Sequence, residues 1–103
     1  MYCYIWSFAV RPESVKEFRA AYGPDGDWAR FFGTDPEYIR THLLADRQDP
    51  ARFLTVDLWS SYEAFLSFRE RFSSRFEALD NSFEQFTLVE ERIGSFETVG
   101  EKG

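Results

Sequence analysis

Seven apolar side chains, Phe65, Phe68, Phe72, Phe76, Leu79, Phe83 and Phe86, step along the chain by threes and fours. That spacing puts them in one stripe on one face of a helix. A helix striped in this way must bury the stripe against another element, so it dictates much of what the rest of the chain can be. The segment is SSYEAFLSFRERFSSRFEALDNSFEQF, residues 60 to 86. Ser60 with Glu63 reads as a capping box at its start. Asp80-Asn81-Ser82 is expected to bend or restart it.

The partners of that helix have a different period. In YCYIWSFAV (Tyr2 to Val10) every second residue is bulky: Tyr2, Tyr4, Trp6, Phe8 and Val10. The alternate positions hold Cys3, Ile5, Ser7 and Ala9. This is a strand with almost nothing polar on either face, and it is expected to be covered on both. RPESVKEFRAAYG follows as a helix, with Pro12 in its first turn, Val15, Phe18 and Tyr22 at helical spacing, and Gly23 as its stop. GPDGDWARFFG then opens with turn residues. Asp25 or Asp27 is expected to cap a short second helix carrying Trp28, Phe31 and Phe32 on one face.

Two further strands follow. Glu37 to Asp46 alternates Ile39, Thr41, Leu43 and Ala45 with Tyr38, Arg40, His42 and Leu44. Ala51 to Trp59 alternates Leu54, Val56 and Leu58 with Phe53, Thr55, Asp57 and Trp59. The short polar link RQDP between them reads as a hairpin turn. After the long helix, Thr87 to Val99 reads as a last strand with Gly94 as a bulge, and GEKG (100–103) as a frayed tail.

The order is therefore β-α-β-β-α-β, an α+β chain on the ferredoxin-like plan with an extra helical turn after the first helix. Residues 1–99 are expected to form one domain with a four-stranded antiparallel sheet and helices on one face. The other sheet face is still largely apolar, and a second copy is its simplest cover. A homodimer is the expected assembly.

Composition narrows the partners. Aromatic residues make up 19% of the 103 residues, more ring than a small core needs, so some should line a cavity or an interface. The net charge of −6 argues against nucleic acid and anionic membranes as partners. The basic run RERFSSRF, with Arg69, Arg71 and Arg75, is balanced by Glu70 and Glu77 and reads as a solvated helix face. A lone Cys3 between Tyr2 and Tyr4 reads as a small buried hydrophobe. Neither an apolar span nor a basic leader is visible, so the cytoplasm is the expected compartment. There is no phosphate-binding glycine loop and no His/Cys/carboxylate cluster, so neither a metal nor a cofactor is expected.

The first strand followed by RPESVKEF, the hairpin YIRTHLLADRQDPARFLTVDLW, the junction DLWSSYEAF and the ERIGSF of the last strand together resemble the antibiotic biosynthesis monooxygenase family, within the dimeric α/β-barrel superfamily. The resemblance covers about residues 2 to 97. It implies a homodimer whose sheets close into a barrel, with a ligand cavity between sheet and helices in each subunit. Some members oxidise polycyclic phenols to quinones with molecular oxygen and neither metal nor flavin; others degrade haem. A histidine common on the second helix falls here near Phe68. The asparagine, tryptophan and histidine of haem-degrading members correspond by position to Trp6, Phe68 and Ala78. None is kept, which argues against haem degradation.

Within this frame His42, the sole histidine, is a candidate general base, since histidine titrates near neutral pH. Arg40 is a candidate to steady a phenolate or oxyanion, and Tyr62 to offer a hydroxyl. The plain alternatives are a strand histidine satisfied by its neighbours, a cross-strand Arg40–Asp57 ion pair, and a tyrosine at the rim of the core. Trp6, Trp28, Phe32, Trp59, Phe65 and Phe68 are candidate walls for a flat aromatic ligand. The expected function is binding or oxidation of an aromatic or polycyclic small molecule without a cofactor. The alternative is a non-catalytic dimer of the same fold that binds a hydrophobic ligand or regulates.

Overall fold

The computed structural model describes residues 1–100. Strand β1 (Tyr2–Val10) leads through a 3-10 turn at Pro12–Ser14 into α1 (Val15–Tyr22) and α2 (Asp27–Phe32). The hairpin β2 (Tyr38–Ala45) and β3 (Arg52–Trp59) follows. Next come α3 (Tyr62–Arg71), α4 (Ser73–Phe83), a 3-10 turn at Glu84–Phe86 and β4 (Thr87–Glu97). The strands lie in the order β2-β3-β1-β4, all pairs antiparallel, which is the ferredoxin-like sheet. The last three residues of the expected tail lie outside the described residues.

The inward face of the sheet is aromatic. Phe8 stands against Phe18 of α1 with ring centres 5.2 Å apart, and Phe18 meets Phe53 of β3 at 5.3 Å. Trp59, wholly buried, takes Phe32 of α2 at 5.6 Å and Phe68 of α3 at 5.2 Å. Burial of this many rings is the main force holding helices to sheet.

All helices cover that one face. The other, carrying Cys3, Ile5, Ser7 and Ala9 of β1, is open in the single chain. On it Leu44, Val89 and Phe96 are each about half exposed, at 47%, 57% and 50%. Cys3 is only half-buried there, opposite Leu58 and Phe96.

Several local expectations shift. The long helix breaks at Phe72 (φ −119°, ψ 31°), not at Asp80-Asn81-Ser82. Phe72 is held by ring contacts to Phe68 at 4.9 Å and Phe31 at 6.4 Å, whereas Ser82 bonds back to the Ala78 carbonyl at 2.8 Å and the helix runs on. The cap is Ser61, whose hydroxyl accepts from the Ala64 N–H at 3.1 Å. Ser60 is still tied to the hairpin, its N–H on the Glu37 carbonyl at 2.9 Å and its hydroxyl on the Glu37 carboxylate. Neither Asp25 nor Asp27 caps α2. Gly26 does, where a Cβ would sit 2.3 Å from the Ala20 carbonyl oxygen, so α1 and α2 approach only over a glycine. The bulge expected at Gly94 falls on Ile93, with Gly94 next to it at φ +153°, and the strand ends at Glu97, not Val99.

A bulge in β2 matters more for function. Tyr38 pairs with Trp59, but the next partner of β3, Leu58, is met by Arg40. Ile39 is the extra residue. It shifts the alternation of β2, so Tyr38, Thr41 and Leu43 face the helices while Arg40, His42 and Leu44 face the open side. The expected grouping of Tyr38 with Arg40, His42 and Leu44 is corrected accordingly.

Candidate active site

The break at Phe72 divides the helix layer in two. α3 buries Phe65 and Phe68 against the sheet, while α4 buries no residue. The space left beneath α4 is a cavity of about 370 Å³. Its floor is Tyr4, Trp6 and Phe8 of β1, with Thr41 of β2, Thr55 and Asp57 of β3, and Glu90 of β4. Its walls and roof are Tyr22 of α1, Trp28 and Phe32 of α2, Arg69 of α3, and Phe76 and Asp80 of α4. This is the size and character of a site for a small aromatic molecule.

Three carboxyls border the space and one guanidinium answers them. Asp57, only 9% exposed, is the deepest. Its Oδ1 accepts a hydrogen bond from Thr41 Oγ1 at 2.6 Å. Thr41 Oγ1 lies 2.7 Å from the Tyr38 hydroxyl, and since the threonine proton is committed to Asp57, tyrosine donates here. Burial raises the Asp57 pKa to about 6, against the opposing pull of the Thr41 bond. Glu90 is also raised, first by burial and then by Asp80, with the Thr87 hydroxyl opposing. Asp80 is raised by burial and by Glu84, with Arg69 opposing. Burial pushes the Tyr22 phenol well up. The Trp28 indole N–H leans toward that phenol and offsets part of the rise, but falls short of a hydrogen bond.

Of the residues expected at a site, Trp6, Trp28 and Phe32 border the cavity. Trp59, Phe65 and Phe68 do not; they pack solidly beside it, at 0%, 3% and 0% exposure. Tyr62 sits at the start of α3, 42% exposed, with its ring on Tyr2 at 5.3 Å. His42 and Arg40 lie on the opposite face of the sheet, where Arg40 Nε donates to His42 Nε2 at 3.2 Å. Arg40 and Asp57 therefore point away from each other and form no cross-strand pair. The arginines of RERFSSRF are not merely solvated. Arg69 lies over the Phe76 ring at 5.4 Å, Arg75 over Phe31 at 4.9 Å, and Arg71 pairs with Asp35 at 2.8 Å.

The polar half of the site escaped the sequence reading. Asp57 was the legible part: a charge in FLTVDLW that shares a face with Phe53 and Trp59 must be buried with them. Thr41 and Tyr38 depended on the bulge, and Asp80, Glu90 and Arg69 on how α4 is lifted.

Fold and cavity define a ferredoxin-like α+β domain with an aromatic-lined cavity between sheet and helices. The sequence profile of antibiotic biosynthesis monooxygenases matches residues 1–86, and the chain belongs to that family. Among solved structures it is similar to a variant of SnoaB, a cofactor-independent oxygenase from Streptomyces nogalater: 20% identity, TM-score 0.77, 98% of this chain and 94% of that one. A Deinococcus radiodurans protein carrying the family's name gives TM-score 0.77 at 10% identity over 100% and 97% of the two chains. One from Nitrosomonas europaea gives 0.69 at 14% over 96% and 99%. At these identities the structures establish the shared fold. No curated protein matches.

Proposed function

We propose that the protein oxidises an electron-rich polycyclic phenol, or its keto tautomer, with molecular oxygen in this cavity and without a cofactor. The observation that carries the reading is Asp57: a buried carboxyl bordering an aromatic-walled space, ionised at neutral pH yet close enough to neutrality to exchange a proton. Family membership and the fold shared with a cofactor-independent oxygenase support it.

The chemistry balances on the substrate's own electrons. Asp57 takes the acidic proton and leaves a carbanion or phenolate. Its ring carbon forms a C–O bond to oxygen, and the resulting peroxide takes the proton back from Asp57. Loss of the remaining C–H proton with O–O cleavage releases water and leaves a carbonyl. For anthrone the sum is anthrone plus oxygen giving anthraquinone plus water. Trp6, Trp28 and Phe32 would hold the ring system in a dry space.

Oxygen uptake with anthrone tests this. Wild type should accelerate it, and Asp57→Asn should lose most of the acceleration, about 100-fold for one general base. Tight binding of anthrone without uptake would favour a non-catalytic ligand-binding protein. The second copy expected on the open face fits the half-exposed Leu44, Val89 and Phe96. Native mass spectrometry should give a dimer, and a monomer would sink that part of the proposal.

A further inference from the structure

We propose that Tyr38 and Thr41 are positioning residues that make Asp57 a shuttle, holding the substrate's proton on the oxygen facing the cavity until the peroxide needs it. The inference rests on the function proposed above and extends it to two residues that act through Asp57.

The chain of donors runs one way. Tyr38 donates to Thr41 at 2.7 Å, and Thr41 donates to Asp57 Oδ1 at 2.6 Å. Oδ1 is thereby fixed as an acceptor, and Oδ2 is left to the cavity. A proton arriving from the substrate goes to Oδ2, because Oδ2 faces the cavity while Oδ1 already accepts a hydrogen bond from Thr41 and is the weaker base for it. It cannot drain outward, since Thr41 would first have to accept where it now donates. Tyr38 is a secure end for the chain: burial raises its phenol, with the Asp57 charge adding to that and Thr41 opposing. Raised above the ordinary phenol range, it stays a protonated donor around neutral pH, where Asp57 is ionised.

Thr41 is the only group that hydrogen-bonds or ion-pairs with the Asp57 carboxylate among the described residues. The other titratable groups bordering the same space are Tyr4 on β1, Tyr22 on α1, Arg69 on α3, Asp80 on α4 and Glu90 on β4. Tyr4 is the direct cross-strand neighbour of Asp57, but neither it nor any of the others hydrogen-bonds or ion-pairs with the carboxylate. Its charge thus depends on one hydroxyl, itself aimed by another. The bulge at Ile39 is what permits this, because it brings Tyr38 and Thr41 to one face although they are three residues apart on a strand.

The test is the titration of the Asp57 carboxyl carbon by 13C NMR, alongside the pH profile of kcat/KM for anthrone. Thr41→Val keeps shape but removes the donor. It should raise the Asp57 midpoint by about one pH unit or more, and lower kcat more than it raises KM. Thr41→Ser should restore both. Tyr38→Phe, which leaves Thr41 in place, should raise the midpoint less and in the same direction; it also serves if Thr41→Val does not fold. An unmoved midpoint in folded Thr41→Val or Tyr38→Phe overturns the inference. The NMR titration needs no substrate. A raised midpoint in a protein that consumes no oxygen would refute the oxidase reading while keeping this geometry. An unmoved midpoint in an active protein would refute the positioning role alone.

Discussion

The two ends of the inward sheet face are built from the same kind of residue and do opposite things. At one end Trp59, Phe65 and Phe68 interlock with no space between them. At the other, Tyr4, Trp6, Trp28 and Phe76 stand around a void of about 370 Å³. Ring content does not separate them. What does is the helix above: α3 lies on the sheet and α4 is raised from it, hinged at Phe72. Aromatic residues make a core where the backbone lets them meet and a cavity where it holds them apart.

The contrast can be broken most severely at the packed end. Trp59→Ala should lower stability by about 3–5 kcal/mol in chemical denaturation. Phe76→Ala, whose ring already borders empty space, should cost well under half of that. Equal losses would mean the two ends are not packed differently after all.

Next in size is the charge kept in the hollow end. The Asp57 pKa rises from 3.8 unfolded to about 6 folded. The folded state therefore binds the proton more tightly. This favours folding below about pH 4, and the advantage fades as pH climbs to about 6. Above that the ionised, buried carboxylate weighs against the fold by roughly 3 kcal/mol. Asp57→Asn should accordingly stabilise the protein at pH 8 by an amount approaching that figure and should gain little at pH 4. Urea midpoints at the two pH values check it. A variant no more stable at pH 8 than wild type would show that Asp57 is not a strained group.

A smaller effect sharpens the comparison from the other side. Thr55→Leu adds bulk to the cavity floor beside Trp6. Because space is available, stability should move by no more than about 1 kcal/mol, while affinity for anthrone falls at least tenfold in a binding titration. The smallest effect belongs to the open face: His42→Ala should leave anthrone-dependent oxygen uptake within about twofold of wild type, and a larger loss would bring His42 back into the mechanism.

Most of the architecture was legible because it rests on periodicity. The alternation in Tyr2–Val10 and the stripe from Phe65 to Phe86 each hold one phase over many residues, and several rings must agree on it. The cavity walls Trp6, Trp28 and Phe32 followed from the same signal. Two single-residue events were not legible. Ile39 reverses the phase of β2, so counting by twos carried Arg40 and His42 to the wrong face. Phe72 satisfies the helical stripe as well as any neighbour, yet the backbone breaks there, and only the tertiary contacts of its ring say so. Trp59, Phe65 and Phe68 were expected as cavity walls because sequence spacing cannot tell a ring in contact from a ring beside a gap.

The distribution of tryptophans has a use of its own. Trp6 and Trp28 border the cavity, whereas Trp59 is sealed in the packed end with its indole nitrogen unpartnered. The molecule thus carries an emitting pair beside any bound ring and one emitter shielded from it. A quinone or other flat acceptor entering the site should dim the pair and leave a residual blue-shifted glow from Trp59. Occupancy can then be read as a change of colour as well as of brightness, in unlabelled protein and before any reaction is known.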